Sequence, residues 1–257
     1  MGLAYDDWLG PFYPPRTPKD RWLPYYAGNF DAIEMNTTFH AIPAPERVER
    51  WAAAVPEHFR FAVKASKQAT HDVPLVAARE PLGVFIDSVR SFGPRLGPIV
   101  VQLPPWCGAD QMSGLKTLLP SLPADLRFAV EFRSADWRKE PTFELLARHN
   151  VAFVGLEHED HPEQAVVRAT ADFLYVRIVG KHGRYDDVGR EVFDPTEQLA
   201  TWWRRIEAAV SPSVREVWVM FNNDFAGFAP ATLRRFAKIA GVELPTPERQ
   251  RGLFDED

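Results

Sequence analysis

Short apolar runs rich in β-branched and aromatic residues recur along the chain at 31–36, 59–65, 98–103, 127–133, 151–157, 173–180 and 217–222, each of strand length. Between most of them the apolar positions return at helical spacing, over 45–55, 82–92, 114–119, 143–149, 197–210 and 231–240. The weakest helical pattern is in the link between the fifth and sixth runs. Alternating strand and helix predict parallel strands joined by right-handed crossovers. An open doubly wound sheet ordinarily shows a glycine-rich phosphate turn after its first strand, and none is present. The expected fold is therefore α/β, a TIM-type (β/α)8 barrel over residues 1–242, followed by a flexible charged C-terminal tail over 243–257. The eighth strand should come first, yet only Met1 to Ala4 precede Tyr5, too few for a strand paired along two neighbours. Strand 1 is expected to be missing or truncated. Either the start is placed too far downstream, the favoured reading, or the barrel has a gap with exposed edges.

Side chains on a strand alternate faces, so one inward position fixes its partners two residues away. With Ile33 and Met35 facing helices, Ala32, Glu34 and Asn36 point into the barrel. The same parity turns inward Ala62 and Lys64, Val100 and Gln102, then Ala129, Glu131 and Arg133, Tyr175 and Arg177, and finally Met220 and Asn222. In each strand a small or apolar inward residue is followed by a charged or amide residue at the C-terminal end, where barrel enzymes carry their chemistry. The alternative is a satisfied ion-pair layer that merely closes the top of the core.

Composition and charge narrow the setting. A formal charge of −5 argues against a surface built wholly to grip nucleic acid, while leaving a local basic cleft open. The single cysteine, Cys107, can form no internal disulfide and has no evident histidine partner, which fits a reducing compartment and a bystander role. With no charged leader and no run of about 18 apolar residues, the expected location is cytoplasmic and away from membranes.

Glu34 and Glu131, from opposite sides of the mouth, are the candidate catalytic pair: one ionised and one protonated carboxyl would suit glycosidic-bond cleavage. Lys64, Arg133 and Arg177 can neutralise phosphate or carboxylate, and Asn36, Gln102, Asn222 and Asn223 can orient a ligand by hydrogen bonds. Two carboxylates among three cations also make a self-satisfied cage, so substrate contact is the safer role. Tyr13 reads as an aromatic anchor for its proline-rich loop. The local run from Glu157 to His161, with His71 and His182 at the same end, is the one cluster suited to a divalent cation, but such loops are usually solvated. Neither metal nor cofactor is expected.

Several segments together carry a family resemblance: Asp7-Trp8 with Gly10-Pro11-Phe12-Tyr13-Pro14, Glu34-Met35-Asn36-Thr37-Thr38-Phe39, Phe61-Ala62-Val63-Lys64 and Thr70-His71, then Gln102-Leu103-Pro104-Pro105, Glu131-Phe132-Arg133, Val176-Arg177 and Phe221-Asn222-Asn223-Asp224. From Tyr5 to about Gly241 the chain resembles the YecE-like family, a TIM-barrel family of unknown function. The resemblance implies the barrel and brings no settled reaction. Three positions depart from it: the usual opening strand ending near Gly-Thr-Ser-Gly-Trp is missing, His40 stands where tyrosine is common, and Ser134 where histidine is common.

In the tail, Gln250-Arg251-Gly252-Leu253-Phe254 resembles the Gln-x-x-Leu-Phe peptide that docks on the bacterial sliding clamp, with Gln250 making polar contacts and Leu253 and Phe254 filling an apolar pocket. The alternative is that Leu253 and Phe254 fold back onto the barrel. The sequence thus predicts a hydrolase or lyase acting on a sugar- or phosphate-bearing substrate, with nucleic-acid metabolism as one setting for it. The other reading is a non-catalytic nucleotide or nucleic-acid binder recruited to the clamp by its tail.

Overall fold

All seven apolar runs form strands in the computed structural model, which describes residues 1–158 and 165–245. They are β1 (Ala32–Met35), β2 (Arg60–Lys64), β3 (Leu96–Leu103), β4 (Phe128–Phe132), β5 (Ala152–Glu157), β6 (Phe173–Ile178) and β7 (Glu216–Phe221). Every pair is parallel and the strands follow sequence order, so the sheet curls into a nearly closed barrel. Ten α-helical segments surround it among the described residues: α1 (Trp22–Ala27), α2 (Thr37–His40), α3 (Pro45–Ala53), α4 (Lys67–Thr70), α5 (Arg79–Val89), α6 (Met112–Leu118), α7 (Glu140–Arg148), α8 (Thr196–Ala209), α9 (Asn223–Ala226) and α10 (Ala229–Ala240). None is long and apolar enough to cross a membrane.

Local sequence sets the helix ends. Pro45 opens α3 and Pro230 the first turn of α10, where a missing N–H costs nothing. Gly241 closes α10 in the left-handed conformation. The short helix α1 departs from the sequence reading. No helical pattern is read there, and the helix forms because Pro24 sits in its first turn, where proline is tolerated, while aromatic burial secures the rest.

Two apolar layers result. Ile33, Phe61, Val63, Ile99, Val130 and Val176 pack outward against helices, while Ala62, Val100, Ala129, Tyr175 and Met220 fill the barrel interior as parity predicts. On β5 the inward residues Ala152, Val154 and Leu156 are all apolar, so this strand adds no charge to the mouth. Glu157 faces away instead and accepts a hydrogen bond from Trp202. The β5–β6 link has no helix among its described residues. Thr170 holds it to β5 through Phe153 N–H (2.8 Å) and Val151 C=O (2.7 Å).

The described residues hold seven strands, as expected of a barrel whose strand 1 is missing or truncated, and the gap between β7 and β1 is partly bridged. The Met1 amine donates to the Phe221 carbonyl, and Gly2 N–H donates to the Glu34 carbonyl at 3.1 Å. Burial pushes that amine down to about 6. The rest of the gap is a cavity of ≈ 380 Å³. Met1, Trp218 and Met220 line its barrel side, and Phe30, Leu233 and Phe236 its helix side. Tyr13 anchors the segment that follows: its ring stacks on Trp22 at 5.0 Å, and its hydroxyl donates to the Leu3 carbonyl at 2.8 Å.

Candidate functional site

At the C-terminal end of the strands, alternation aims Glu34, Glu131, Tyr175 and Arg177 into one buried layer. Arg177 is its hub. It donates to Glu34 through Nε (3.0 Å to Oε2) and Nη2 (2.7 Å to Oε1), a bidentate pair, and through Nη1 to Glu131. Nη2 also reaches the Met1 sulfur at 3.1 Å. Tyr175 donates its hydroxyl to Glu34 at 2.9 Å, and Arg133 pairs with the other oxygen of Glu131. Both glutamates are 0 % exposed, so each is tied to a cation deep inside the barrel.

Neighbouring charges act on Glu131 and on Tyr175. Burial pushes the Glu131 carboxyl up, but Arg177 and then Arg133 pull it down further, to about 2. Burial and the neighbouring Glu34 raise the Tyr175 phenol, so it remains a donor.

Lys64 ends β2 beside this layer. In register it neighbours the segment leaving β1, since Met35 pairs with Val63, and its carbonyl accepts from the Thr38 hydroxyl at 2.7 Å. Its ammonium lies over the Phe39 ring, 3.8 Å from the centroid, and no carboxylate is within ion-pair distance among the described residues. Burial pushes Lys64 down to about 8. Arg177 adds to the shift, while Glu131 and Glu34 oppose it. His71 meets the same Phe39 ring edge-on at 4.9 Å, and burial, reinforced by Lys64, lowers its pKa.

The amides divide. Asn36 follows β1 with its buried Oδ1 unpartnered, and Gln102 stands opposite Glu131 in the β3–β4 register. Asn222 instead caps α9 through Asn223 N–H (2.9 Å) and donates to Asp224 (2.8 Å). Asn223 accepts from Ala229 N–H at 2.9 Å, tying α9 to α10. Both asparagines spend hydrogen bonds on a turn at the rim. Gln250, Leu253 and Phe254 lie outside the described residues, as do Glu159, Asp160 and His161 of the acidic loop.

Two further contributors, Tyr175 and Phe39, escaped the sequence-derived set, and His71 entered it only as a candidate cation ligand. Tyr175 shares the inward parity of Arg177, a signal already present in the strand pattern. Phe39 and His71 stand in the family-like segments, but their meeting with Lys64 depends on how α2 and α4 turn over the mouth.

Fold and site together define a parallel α/β barrel protein with a buried, arginine-centred charge layer at its mouth. The chain belongs to the family described as protein of unknown function DUF72, whose profile matches residues 1–252. UPF0759 protein YunF of Bacillus subtilis is 26% identical over 274 aligned residues, spanning 94% of this chain and 95% of that protein. UPF0759 protein YecE of Escherichia coli is 33% identical over 111 residues, 43% of this chain and 41% of that protein. A crystal structure of a DUF72 family protein from Thermotoga maritima superposes with a TM-score of 0.72 at 25% identity, covering 93% of this chain and 95% of the other. One from Enterococcus faecalis gives 0.69 at 19% identity, covering 93% and 94%, and shows the shared fold.

Proposed function

We propose that the chain is a TIM-type barrel enzyme, with the first-strand position part-filled by Met1 and Gly2, whose mouth binds and cleaves a small sugar- or phosphate-bearing anionic substrate as a hydrolase or lyase. One observation carries this reading. Arg177 serves both glutamates and Arg133 shares Glu131, while the Lys64 ammonium is left with an aromatic face as its neighbour. Among the described residues of this layer the Lys64 ammonium has no carboxylate within ion-pair distance, and an incoming anion supplies one. Arg133 and Lys64 then contact the anion, and Asn36 and Gln102 orient the polar body.

The roles of the carboxylates follow from their partners. Hydrolysis by paired carboxylates needs one carboxyl protonated near neutrality. Glu131 is held at about 2 and stays ionised, and both oxygens of Glu34 accept hydrogen bonds from Arg177 and Tyr175, which leaves neither carboxyl placed as the acid. In this reading Glu34 and Glu131 are positioning residues for Arg177 and Arg133, and Lys64, pushed down to about 8, supplies an amine at the mouth that titrates closer to neutrality than an ordinary lysine. This favours the lyase.

Calorimetric titration with inorganic phosphate and ribose 5-phosphate tests the site. Lys64→Met, which keeps most of the apolar stem, should weaken binding at least about tenfold, or about 1.4 kcal/mol. Equal affinity in the two proteins would remove the mouth as an anion site.

The tail motif supports a second reading, a nucleotide or nucleic-acid binder recruited to a sliding clamp through Gln250, Leu253 and Phe254. A labelled peptide of residues 243–257 should then show saturable anisotropy with a bacterial clamp, lost in Leu253→Ala/Phe254→Ala. A flat titration sinks that reading.

A further inference from the structure

Lysine amines are nucleophiles only when free of their proton, and a lysine held by a carboxylate keeps it. Lys64 is placed otherwise. Both nearby glutamates are engaged by arginines, and its Nζ rests on the Phe39 ring at 3.8 Å. The cations Arg177 and Arg133 flank it at the mouth and disfavour a third positive charge.

A base adjoins the same ring. The Thr70 hydroxyl donates to the Ser66 carbonyl at 3.0 Å, and its oxygen lies 2.8 Å from His71 Nδ1. A hydroxyl has one hydrogen, so Nδ1 must be the donor in that second contact. The hydrogen-bond network therefore assigns the Nδ1–H tautomer, which leaves the Nε2 lone pair available. Phe39 thus has the amine over its face and a neutral imidazole at its side.

From this geometry, and resting on the reading of the mouth as an anion site, we propose that Lys64 forms an imine with its substrate. The substrate class is a small aldehyde or ketone bearing a phosphate or carboxylate. The unprotonated Nζ attacks the carbonyl carbon, making a C–N bond as the carbonyl oxygen takes up a proton to become a hydroxyl. That hydroxyl leaves as water when the C=N bond forms, and the nitrogen gives up its remaining protons. His71 Nε2 accepts and returns protons in these steps. Arg133 holds the anion, and the unpartnered Asn36 Oδ1 accepts from the carbinolamine hydroxyl. A free-base fraction well above that of an ordinary lysine at neutral pH agrees with this placement.

The test is reductive trapping on the full chain with glycolaldehyde phosphate and sodium cyanoborohydride at neutral pH, read by peptide mass spectrometry. Lys64 should acquire the reduced adduct at least about tenfold faster than the exposed Lys139 and Lys238, reflecting its lower proton affinity. Excess inorganic phosphate should suppress the label. Lys64→Arg, which keeps the charge, should bind phosphate and take no adduct at position 64. His71→Gln should slow trapping while phosphate affinity holds. Phosphate binding with label spread evenly over the surface lysines overturns the imine and leaves the anion site standing. Loss of phosphate binding in the unaltered protein overturns both.

Discussion

Arg177→Met should cost the fold about 3–5 kcal/mol, seen as a lower urea midpoint at neutral pH, because two buried carboxylates lose their shared counter-charge. The side chain being replaced makes two bonds to Glu34 and one to Glu131, all three residues being buried. Methionine fills the stem's space and leaves Glu34 with the Tyr175 hydroxyl alone among its charge-layer partners. Adding Glu34→Gln and Glu131→Gln should recover a large part of the loss, since amides do not carry the stranded charge.

The pH dependence provides an independent check. In the unaltered protein the Glu131 carboxyl lies at about 2, below its ordinary 4.5. A depressed carboxylate contributes stability that is fully present above about 4.5 and lost as pH falls through 2. Removing Arg177 removes the largest influence that lowers this group, so the acid-side slope should flatten. A variant that loses less than about 1 kcal/mol and keeps the parent slope would mean that solvent compensates both carboxylates.

Gly180→Ala should cost about 3 kcal/mol or more, combining backbone strain with a clash. Gly180 follows β6 at φ +70°, and a Cβ there would lie 2.3 Å from the Asp224 carbonyl oxygen and 2.5 Å from the Phe225 Cα. Both belong to the backbone of α9, so neither can swing aside. Gly183→Ala is the control. Its φ is +71°, but nothing lies within 4 Å of the added carbon, leaving only the conformational cost of about 1 kcal/mol. Equal losses at the two positions would show that α9 shifts freely to admit a methyl group.

The period-two strand pattern carried most of what was legible in the sequence. Placing Ala62, Val100 and Ala129 inward required only alternation, and the same parity brought Glu34, Lys64, Glu131 and Arg177 to one end. The pairing among them was not legible. Whether Arg177 reaches Glu34, Glu131 or a ligand depends on the curvature that carries β6 opposite β1 and β4, which no local pattern encodes. Asn222 and Asn223 share the strand-end position of the others, but a helix begins at once after β7 and takes the Asn222 amide and the Asn223 Oδ1, leaving the Asn223 Nδ2 unpartnered. Phe39 and His71 sit beyond strand ends, where periodicity stops and turn geometry decides.

Among the described residues, backbone stitching between the two ends of the sheet consists of the Met1 bond to Phe221 and the Gly2 bond to Glu34. The Arg177 fork on Glu34 reaches from β6 to β1 across the same opening, so it also acts as an ionic clasp on an unfinished hoop. A hoop strained by thermal motion parts at its joint. Amide hydrogens of β1 and β7 should therefore trade with solvent sooner than those of β3 and β4, which have a partner on each side. Unfastening the clasp should widen that difference, making the charge layer a keeper of barrel circumference as well as a floor for the mouth.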